Sequence, residues 1–379
     1  MSALEPWGKS LRERLAMLKL GTRRVAYFAP KPDSGSFRYR CYNTAQAINS
    51  HSPALSASYF FLSDLDHIED LSDHADFLVV FRTPYDTDVD RLISKFRRAE
   101  KKVFFDIDDL VFDERFAPLV ASSLNHKLSW GGGIDSWFSY FANTGACMKL
   151  CDEVITTNTF LAERVREYSG LPTTVIPNFV NQEQLEVSRG ICVEKKGPKS
   201  GKGLNLGYFS GSPTHAKDFS VAEAGIAAFL SGSPDSTLTI LGHLELPQQL
   251  AIFGSRIVEK TYMNFLELQS AIAEVDVNLV PLQSSPFTFS KSELKFFEAA
   301  LVETLTLATP APVFSASISD GDTGFLASAS EWASKLEEIQ SIGPQARKRI
   351  ASKAKAAALD TFSPAAASSL LNKLFSQES

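Results

Sequence analysis

The sequence predicts an α/β protein of two doubly wound domains, each a parallel sheet covered by helices. Short apolar runs of strand length alternate with amphipathic helical segments, which is the pattern of parallel strands joined by crossover helices. The strand-like runs, such as "DFLVVF", are apolar throughout, as expected for strands buried by helices. The alternation stops at a Gly- and Lys-rich stretch near the middle of the chain and then restarts, which predicts two domains joined once.

The first domain, residues 23–186, is predicted to contain five strands with helices between them. The strands are "RVAYFAP", "DFLVVFRTP", "KKVFFDID", "EVITTN" and "TTVIPNF". The helices are "YNTAQAINSH", "VDRLISKFRRAEK", "WFSYFANTGACMKLCD" and "TFLAERVREYSG". The last helix is predicted to end at Gly170, because glycine readily adopts the left-handed conformation of a helix C-cap.

Residues 187–203 are predicted to be a linker, because they are rich in Gly, Lys and Ser and lack an apolar period. The second domain, residues 204–360, is predicted to contain the strands "LNLGYFSG", "STLTILG", "RIVEKTY" and "DVNLVPL", with "TLTLAT" and "GFLA" as short strands. A last helix within residues 361–379 begins at Ser363, with Pro364 at the first helical position, and is expected to pack back on the first domain.

Composition and charge exclude several classes of protein. Apolar residues make up 44% of the 379 residues and charged residues 22%, which is globular composition. The net charge of −6 argues against nucleic-acid binding, which requires a basic surface. The four cysteines lack zinc-site spacing and fit a reducing compartment. The sequence has neither an apolar run of bilayer length nor a signal-peptide core, so a cytoplasmic protein is expected.

Residues 1–22 are predicted to form an amphipathic helix. Leu4, Trp7, Leu11, Leu15 and Leu18 fall on one helical face, and basic residues surround them. Two interpretations stay open. The helix lies on an anionic surface at the inner face of the cell membrane, or it packs on its own domain or on a second subunit.

An acidic cluster follows the third predicted strand, in "KKVFFDIDDLVFDERF". Its carboxylates suit three roles: ligands of a divalent metal, acceptors for sugar hydroxyls, or the polar start of a solvated loop. Asp106 and Asp109 are the members expected to point into a cleft between the domains.

The segment "VDVNLVPLQSSPFTFSKSELKFFEAAL" carries the clearest chemistry. Ser290 to Glu293 reads S-x-x-E, which predicts a capping box with Ser290 as N-cap. Lys291, Lys295 and Glu298 then share one helical face. A helix N-terminus with two lysines attracts phosphate, and a carboxylate further along can accept hydrogen bonds from a ribose. The alternative is a solvated face with charge pairs.

Five segments in register resemble a known family. "DEVITTNTFLAERV", "TTVIPNFV", "LGYFSGSPTHAKDF", "DVNLVPL" and "SKSELKFFEAAL" together resemble the retaining glycosyltransferases of the GT-B fold, glycosyl transferase group 1. The resemblance implies two Rossmann-like domains facing across a cleft, with the nucleotide sugar held by the second domain and the acceptor by the first.

Matching the family's pattern residue by residue implies a donor site. Glu298 matches the second glutamate of its E-x7-E pattern, which implies ribose binding, whereas Ser290 stands at the first and would contact the donor or only cap the helix. Lys217 is the closest match to the family's basic residues after the first strand of the second domain. The predicted donor-binding residues are Gly211, Ser212, His215, Lys217, Tyr262, Met263, Pro281, Ser290, Lys291, Ser292, Lys295 and Glu298.

The resemblance also implies an acceptor site and a reaction. The predicted acceptor-binding residues are Arg38, Arg40, Asp106 and Asp109, and the predicted catalytic residues are Lys217, Lys295 and Asp106. The expected activity is transfer of a sugar from a nucleotide-diphosphate sugar to a glycan or lipid-linked acceptor, with retention, in bacterial surface-polysaccharide synthesis. No metal or other cofactor is expected. The alternatives are a nucleotide-sugar epimerase of the same fold and a non-catalytic sugar- or nucleotide-binding protein.

Overall fold

The computed structural model describes residues 5–33, 35–68, 71–123, 133–194, 203–211 and 216–376. It contains two parallel six-stranded sheets with helices packed against them. The predicted fold class, two doubly wound α/β domains, is therefore confirmed.

The first sheet has the strand order β2-β1-β3-β4-β5-β6, and every neighbouring pair is parallel. Its strands are β1 (Arg23–Ala29), β2 (Leu55–Phe61), β3 (Phe77–Phe81), β4 (Val103–Ile107), β5 (Glu153–Thr156) and β6 (Thr173–Val175). Strand β2 was not predicted, because the polar Ser56 and Ser58 interrupt its apolar run. Both serines are nonetheless buried, and the Ser56 hydroxyl donates to the carbonyl of Leu18 at 2.6 Å.

The second sheet has the order β12-β11-β10-β7-β8-β9 and is also parallel. Its strands are β7 (Asn205–Ser210), β8 (Thr237–Gly242), β9 (Ile257–Lys260), β10 (Val277–Val280), β11 (Leu305–Ala308) and β12 (Phe325–Leu326). All six were predicted. Because the strands are parallel, their carboxyl ends share one edge in each sheet, where ligands bind in such folds.

Helices connect the strands of both sheets. Those of the first half are α1 (Leu11–Leu18), α2 (Asn43–His51), α3 (Leu71–His74), α4 (Thr87–Arg98), α5 (Ala117–Ser123), α6 (Gly133–Met148), α7 (Thr159–Ser169) and α8 (Gln182–Glu194). Those of the second half are α9 (Ala216–Gly232), α10 (Gln248–Ala251), α11 (Phe265–Ala273), α12 (Pro286–Phe289), α13 (Leu294–Leu301), α14 (Pro312–Ser317), α15 (Trp332–Ser341), α16 (Gly343–Phe362) and α17 (Pro364–Ser376).

Two predicted helix ends are confirmed, and one boundary is wrong. Gly170 caps α7 with a φ of 71°, and the Ser363 hydroxyl accepts from the amide of Ala366 at 3.3 Å. Helix α8, however, continues through the first part of the predicted linker. Its buried face includes the polar Gln184 and Ser188, which hid the helical period.

The first domain buries both ends of the described chain. In α17, the Phe375 ring lies 5.4 Å from the rings of both Phe77 and Phe104 on the first sheet. At the other end, Trp7 is 2% exposed and Leu18 is fully buried. Among the described residues the predicted helix spans only Leu11–Leu18, so Trp7 precedes it. Leu11, Leu15 and Leu18 pack against the core of the first domain, which supports the interpretation that the helix packs on its own domain. Among the helices of the described residues, none has the length and apolarity to cross a bilayer.

The predicted capping box at Ser290 is wrong. Ser285 caps the short α12 instead, and the Ser290 hydroxyl donates to the carbonyl of Pro286 at 2.9 Å. Helix α13 begins only at Leu294. Lys291 therefore lies in the loop before the helix, while Lys295 and Glu298 lie on it.

Glu293, at the N-cap of α13, is buried without full hydrogen bonding. It is 7% exposed, and no described residue bonds to its Oε2. Burial raises the pKa of this carboxyl from 4.5 to about 7. The native state therefore binds the proton more tightly than the unfolded state, so the contribution of Glu293 to stability falls as pH rises from 4.5 through 7.

We expect Glu293→Gln to be stabilising above neutral pH. At pH 8 the variant avoids a buried charge, whose cost is roughly 3 kcal/mol for a pKa displaced this far. At pH 4.5 most of this advantage should vanish, because the native carboxyl is then neutral. Urea unfolding of both proteins at the two pH values measures the difference, and an advantage independent of pH would contradict the assignment.

The buried ion pair between Arg14 and Asp64 should be needed for stability. Arg14 Nη1 lies 2.6 Å from Asp64 Oδ2, and both side chains are nearly inaccessible. Asp64→Ala leaves a buried guanidinium without its partner and should lower the free energy of unfolding by about 3–5 kcal/mol. Asp88→Ala, which removes an exposed pair with Arg91, is the control and should cost less than about 1 kcal/mol in the same urea titration.

Candidate functional site

A cavity of about 470 Å³ lies between the domains at the carboxyl edges of both sheets. The first domain contributes residues that follow β1 and β4, including Ser36 and Asp109. The second contributes residues at the ends of β7 and β10, including Ser210 and Leu282. The cavity thus occupies the position where doubly wound folds bind ligands.

One wall of the cavity is the segment predicted to bind phosphate and ribose. Lys291, Ser292, Lys295 and Glu298 all line it, although only the last two lie on α13. Burial lowers the pKa of Lys295, whose Nζ lies 5.1 Å from the ring centre of Tyr208. Ser290 is fully buried and is not among the described lining residues, so its hydroxyl is a structural group.

The Glu298 carboxylate accepts hydrogen bonds from two side chains that are distant in the sequence. Its Oε1 accepts from the hydroxyl of Tyr39 and, at 3.3 Å, from Nε2 of Gln184. Arg38 Nη2 lies 3.7 Å from the same oxygen. Sequence analysis missed both Tyr39 and Gln184, because neither lies close to Glu298 along the chain.

Arg38 lines the cavity, as predicted, but faces the second domain. Its guanidinium lies 4.1 Å from the ring centre of Tyr39 and 4.4 Å from that of Phe265. Its Nη1 donates to Oε1 of Gln184 at 2.8 Å. Arg38 and Tyr39 belong to a π-helical turn, Arg38–Tyr42, just before α2.

The roles predicted for Arg40 and Asp106 are wrong. They are 1% and 2% exposed and are joined by two hydrogen bonds, from Nε to Oδ1 at 2.8 Å and from Nη2 to Oδ2 at 3.0 Å. Neither is among the described lining residues. Asp106 belongs to β4 itself, so its side chain is buried with the strand and cannot reach a substrate.

Asp108 and Asp109, which follow β4, do reach the cavity. Arg82 Nη1 donates to Oδ1 of Asp108 at 3.1 Å and to Oδ2 of Asp109 at 3.0 Å. Lys291 Nζ donates to Oδ1 of Asp109 at 3.0 Å. Burial opposes ionisation of Asp109, but Lys291 and Arg82 outweigh it and hold its pKa below the usual range. The carboxylates of this cluster are thus neutralised by side-chain cations.

An apolar wall lies on the side predicted for the nucleotide base. Tyr262 and Met263 line the cavity, together with Phe209, Leu241 and Ile272. The Tyr262 ring stacks near His243, with ring centres 6.2 Å apart. Pro281 is buried and is not among the described lining residues, so its predicted contact is wrong.

The loop after β7 is described only in part. Gly211 lines the cavity, whereas Ser212 and His215 lie outside the described residues. Lys217 is not among the described lining residues. Its Nζ donates across the domain boundary to the carbonyl and hydroxyl oxygens of Ser122 on α5, at 2.6 and 3.2 Å.

Two asparagines after β5 and β6 hold the loop that carries Lys291. Asn158 Nδ2 donates to the carbonyls of Ser290 and Lys291, at 3.0 and 3.2 Å. Asn178 Nδ2 donates to the hydroxyl of Ser292 at 2.9 Å. Sequence analysis missed both, although each follows a predicted strand at the edge where functional side chains collect.

No family model and no curated protein matches the sequence. Solved structures do match. HepE of Anabaena in complex with UDP gives a TM-score of 0.58 at 14% identity, over 93% of this chain and 99% of that one. A sucrose-phosphate synthase of Thermosynechococcus elongatus gives 0.60 at 13% identity, over 93% and 98%. A glycosyltransferase of Rickettsia africae gives 0.61 at 12% identity, over 93% and 98%. The chain therefore has the GT-B fold of these proteins.

Proposed function

We propose that this protein is a glycosyltransferase that moves a sugar from a nucleoside-diphosphate sugar to a glycan or lipid-linked acceptor. The observation that carries the proposal is the cavity wall formed by Lys291, Lys295 and Glu298 between two facing sheets. The complexes of the similar HepE with UDP and with UDP-glucose support the same class of donor. We place the reaction in bacterial surface-polysaccharide synthesis.

The cavity suits the three parts of a nucleoside-diphosphate sugar. The ammonium groups of Lys291 and Lys295 would bind the diphosphate, and the Glu298 carboxylate would accept hydrogen bonds from ribose hydroxyls. The wall that includes Phe209, Tyr262 and Met263 would pack against the base. Asp109 would meet the acceptor on the side of the first domain.

The proposed reaction retains the configuration of the anomeric carbon, because the acceptor oxygen attacks from the same face from which the diphosphate departs. The bond between the anomeric carbon and the diphosphate oxygen breaks, and the acceptor oxygen bonds to the same carbon. The acceptor proton passes to the departing phosphate oxygen. Lys295 would stabilise the negative charge that develops on that diphosphate.

We expect transfer to proceed without added metal. Asp108 and Asp109 are already neutralised by Arg82 and Lys291, so this pair of carboxylates is poorly suited to hold a divalent cation, and Lys295 is available to neutralise the diphosphate. Nucleoside-diphosphate sugars are first screened for those that raise the melting temperature of the protein. Each of these is then incubated with mixed oligosaccharide acceptors, with and without excess EDTA, and the release of nucleoside diphosphate is measured. Full loss of release in EDTA, restored by magnesium or manganese, would contradict the expectation. Epimerised sugar formed without acceptor would favour an epimerase instead.

Glu298→Gln should weaken binding of UDP by roughly 10- to 150-fold, since hydrogen bonds to a charged group are worth about 1.5–3 kcal/mol. The loss should be much smaller for 2′,3′-dideoxy-UDP, because that ligand lacks the hydroxyls that Glu298 would bind. Calorimetry with both ligands and both proteins measures this difference.

Glu303→Gln is the matched control for this experiment. Glu303 follows the same helix but pairs with Lys355, and it should leave both affinities unchanged. Equal losses for the two ligands in Glu298→Gln would mean that Glu298 acts only through its contacts with Tyr39 and Gln184.

A further inference from the structure

Asp109 of the first domain is hydrogen-bonded to Lys291, one of the two lysines that would bind phosphate in the proposed function. Asp109 Oδ1 accepts a hydrogen bond from Lys291 Nζ at 3.0 Å, and both residues line the cavity. Their side chains are 17% and 24% exposed, so the pair lies at the cavity wall within reach of a ligand. The contact joins the two domains across the cleft.

The position of Asp109 is set by Arg82 independently of Lys291. Arg82 contacts the other carboxylate oxygen, Oδ2, and also receives support from Tyr140, whose hydroxyl accepts from Nε at 3.1 Å. Arg82 itself has a φ of 41°, a left-handed conformation that is unfavourable for a non-glycine residue. Oδ1 is therefore directed at Lys291 by a rigid arrangement.

A carboxylate oxygen and a phosphate oxygen interact with an ammonium group in the same way. Both are anionic acceptors that form short charge-assisted hydrogen bonds. Two anions close to one ammonium repel each other, so a phosphate that binds Lys291 weakens the contact with Asp109. Lys291 can change partners because its long side chain is only partly buried.

We propose that Asp109 competes with the ligand's phosphate for Lys291: it holds the lysine in the empty cavity and releases it when a diphosphate binds. The inference rests on the proposed function. The exchange lowers the net affinity for a nucleoside diphosphate, which favours product release. It also leaves Asp109 Oδ1 open to the cavity, so a donor that binds first exposes an acceptor for a substrate hydroxyl.

The test measures the affinity for inorganic pyrophosphate, a probe that needs no knowledge of base or sugar. Asp109→Asn should bind pyrophosphate about 10-fold more tightly than the wild type, equivalent to about 1.4 kcal/mol. Asp108→Asn is the matched control, because it lies in the same loop and shares the contact with Arg82. The affinity of Asp108→Asn should change much less than that of Asp109→Asn, because Asp108 pairs with Arg82 and Lys291 pairs with Asp109. Asp109→Ser repeats the measurement if the asparagine variant does not fold.

The same substitution in a Lys291→Met background separates exchange from simple repulsion. If Asp109 acts by holding Lys291, removing its charge should have no effect once the lysine is absent. An equal gain in both backgrounds would overturn the proposal, because it would show that Asp109 only repels the anion.

Two further results distinguish this proposal from the proposed function. In the first, the wild type binds pyrophosphate and UDP, but Asp109→Asn binds pyrophosphate no more tightly or more weakly. This result would overturn the exchange alone and make Asp109 a residue that positions Lys291 for phosphate. Failure of the wild type to bind either ligand would overturn both.

Discussion

The geometry of the cavity depends on the hydrogen bonds made by the buried guanidinium of Arg40. It joins Asp106 of β4 to the carbonyl of Ile176 at 2.7 Å and to Asn178 Oδ1 at 3.1 Å. The turn that carries Arg40 also presents Arg38 and Tyr39 to Glu298, and Asn178 reaches Ser292 in the other domain. The residues around this buried cation thus make two of the contacts between the first domain and the opposite wall. Because a buried charge without its partner is costly, these residues are held in a single arrangement.

Most of the fold could be predicted because its strands are apolar and short. The predictions from the sequence were wrong where polar side chains are buried. Ser56 and Ser58 are buried in β2, and Gln184 and Ser188 are buried in α8. Ser56 and Gln184 form hydrogen bonds with residues distant in the sequence, and such contacts leave no periodic pattern in the local sequence. The capping box failed for a different reason, since Ser285 with Thr288 competes with Ser290 for the start of a helix.

The cavity could be predicted in part. Lys291, Lys295 and Glu298 converge because their spacing keeps them on one side of the chain, although Lys291 precedes the helix. Asp106 was misplaced because it lies within β4, one residue before the strand ends, where its side chain is buried against Arg40. The residues after Ile107 lie at the sheet edge and reach the cavity. Contacts that join the domains, such as Tyr39 with Glu298, depend on how the two sheets face each other. No local pattern in either segment encodes that.

The chain passes between the domains twice, after β6 and again between α16 and α17. The two passages lie side by side, because the amide of Val180 donates to the carbonyl of Phe362 at 3.1 Å. The two passages are therefore tied to each other by a backbone hydrogen bond at the place where both cross between the domains. Asn178 stands two residues before Val180 and lines the cavity. Its bond to Ser292 therefore connects this crossing region directly to the loop that carries Lys291.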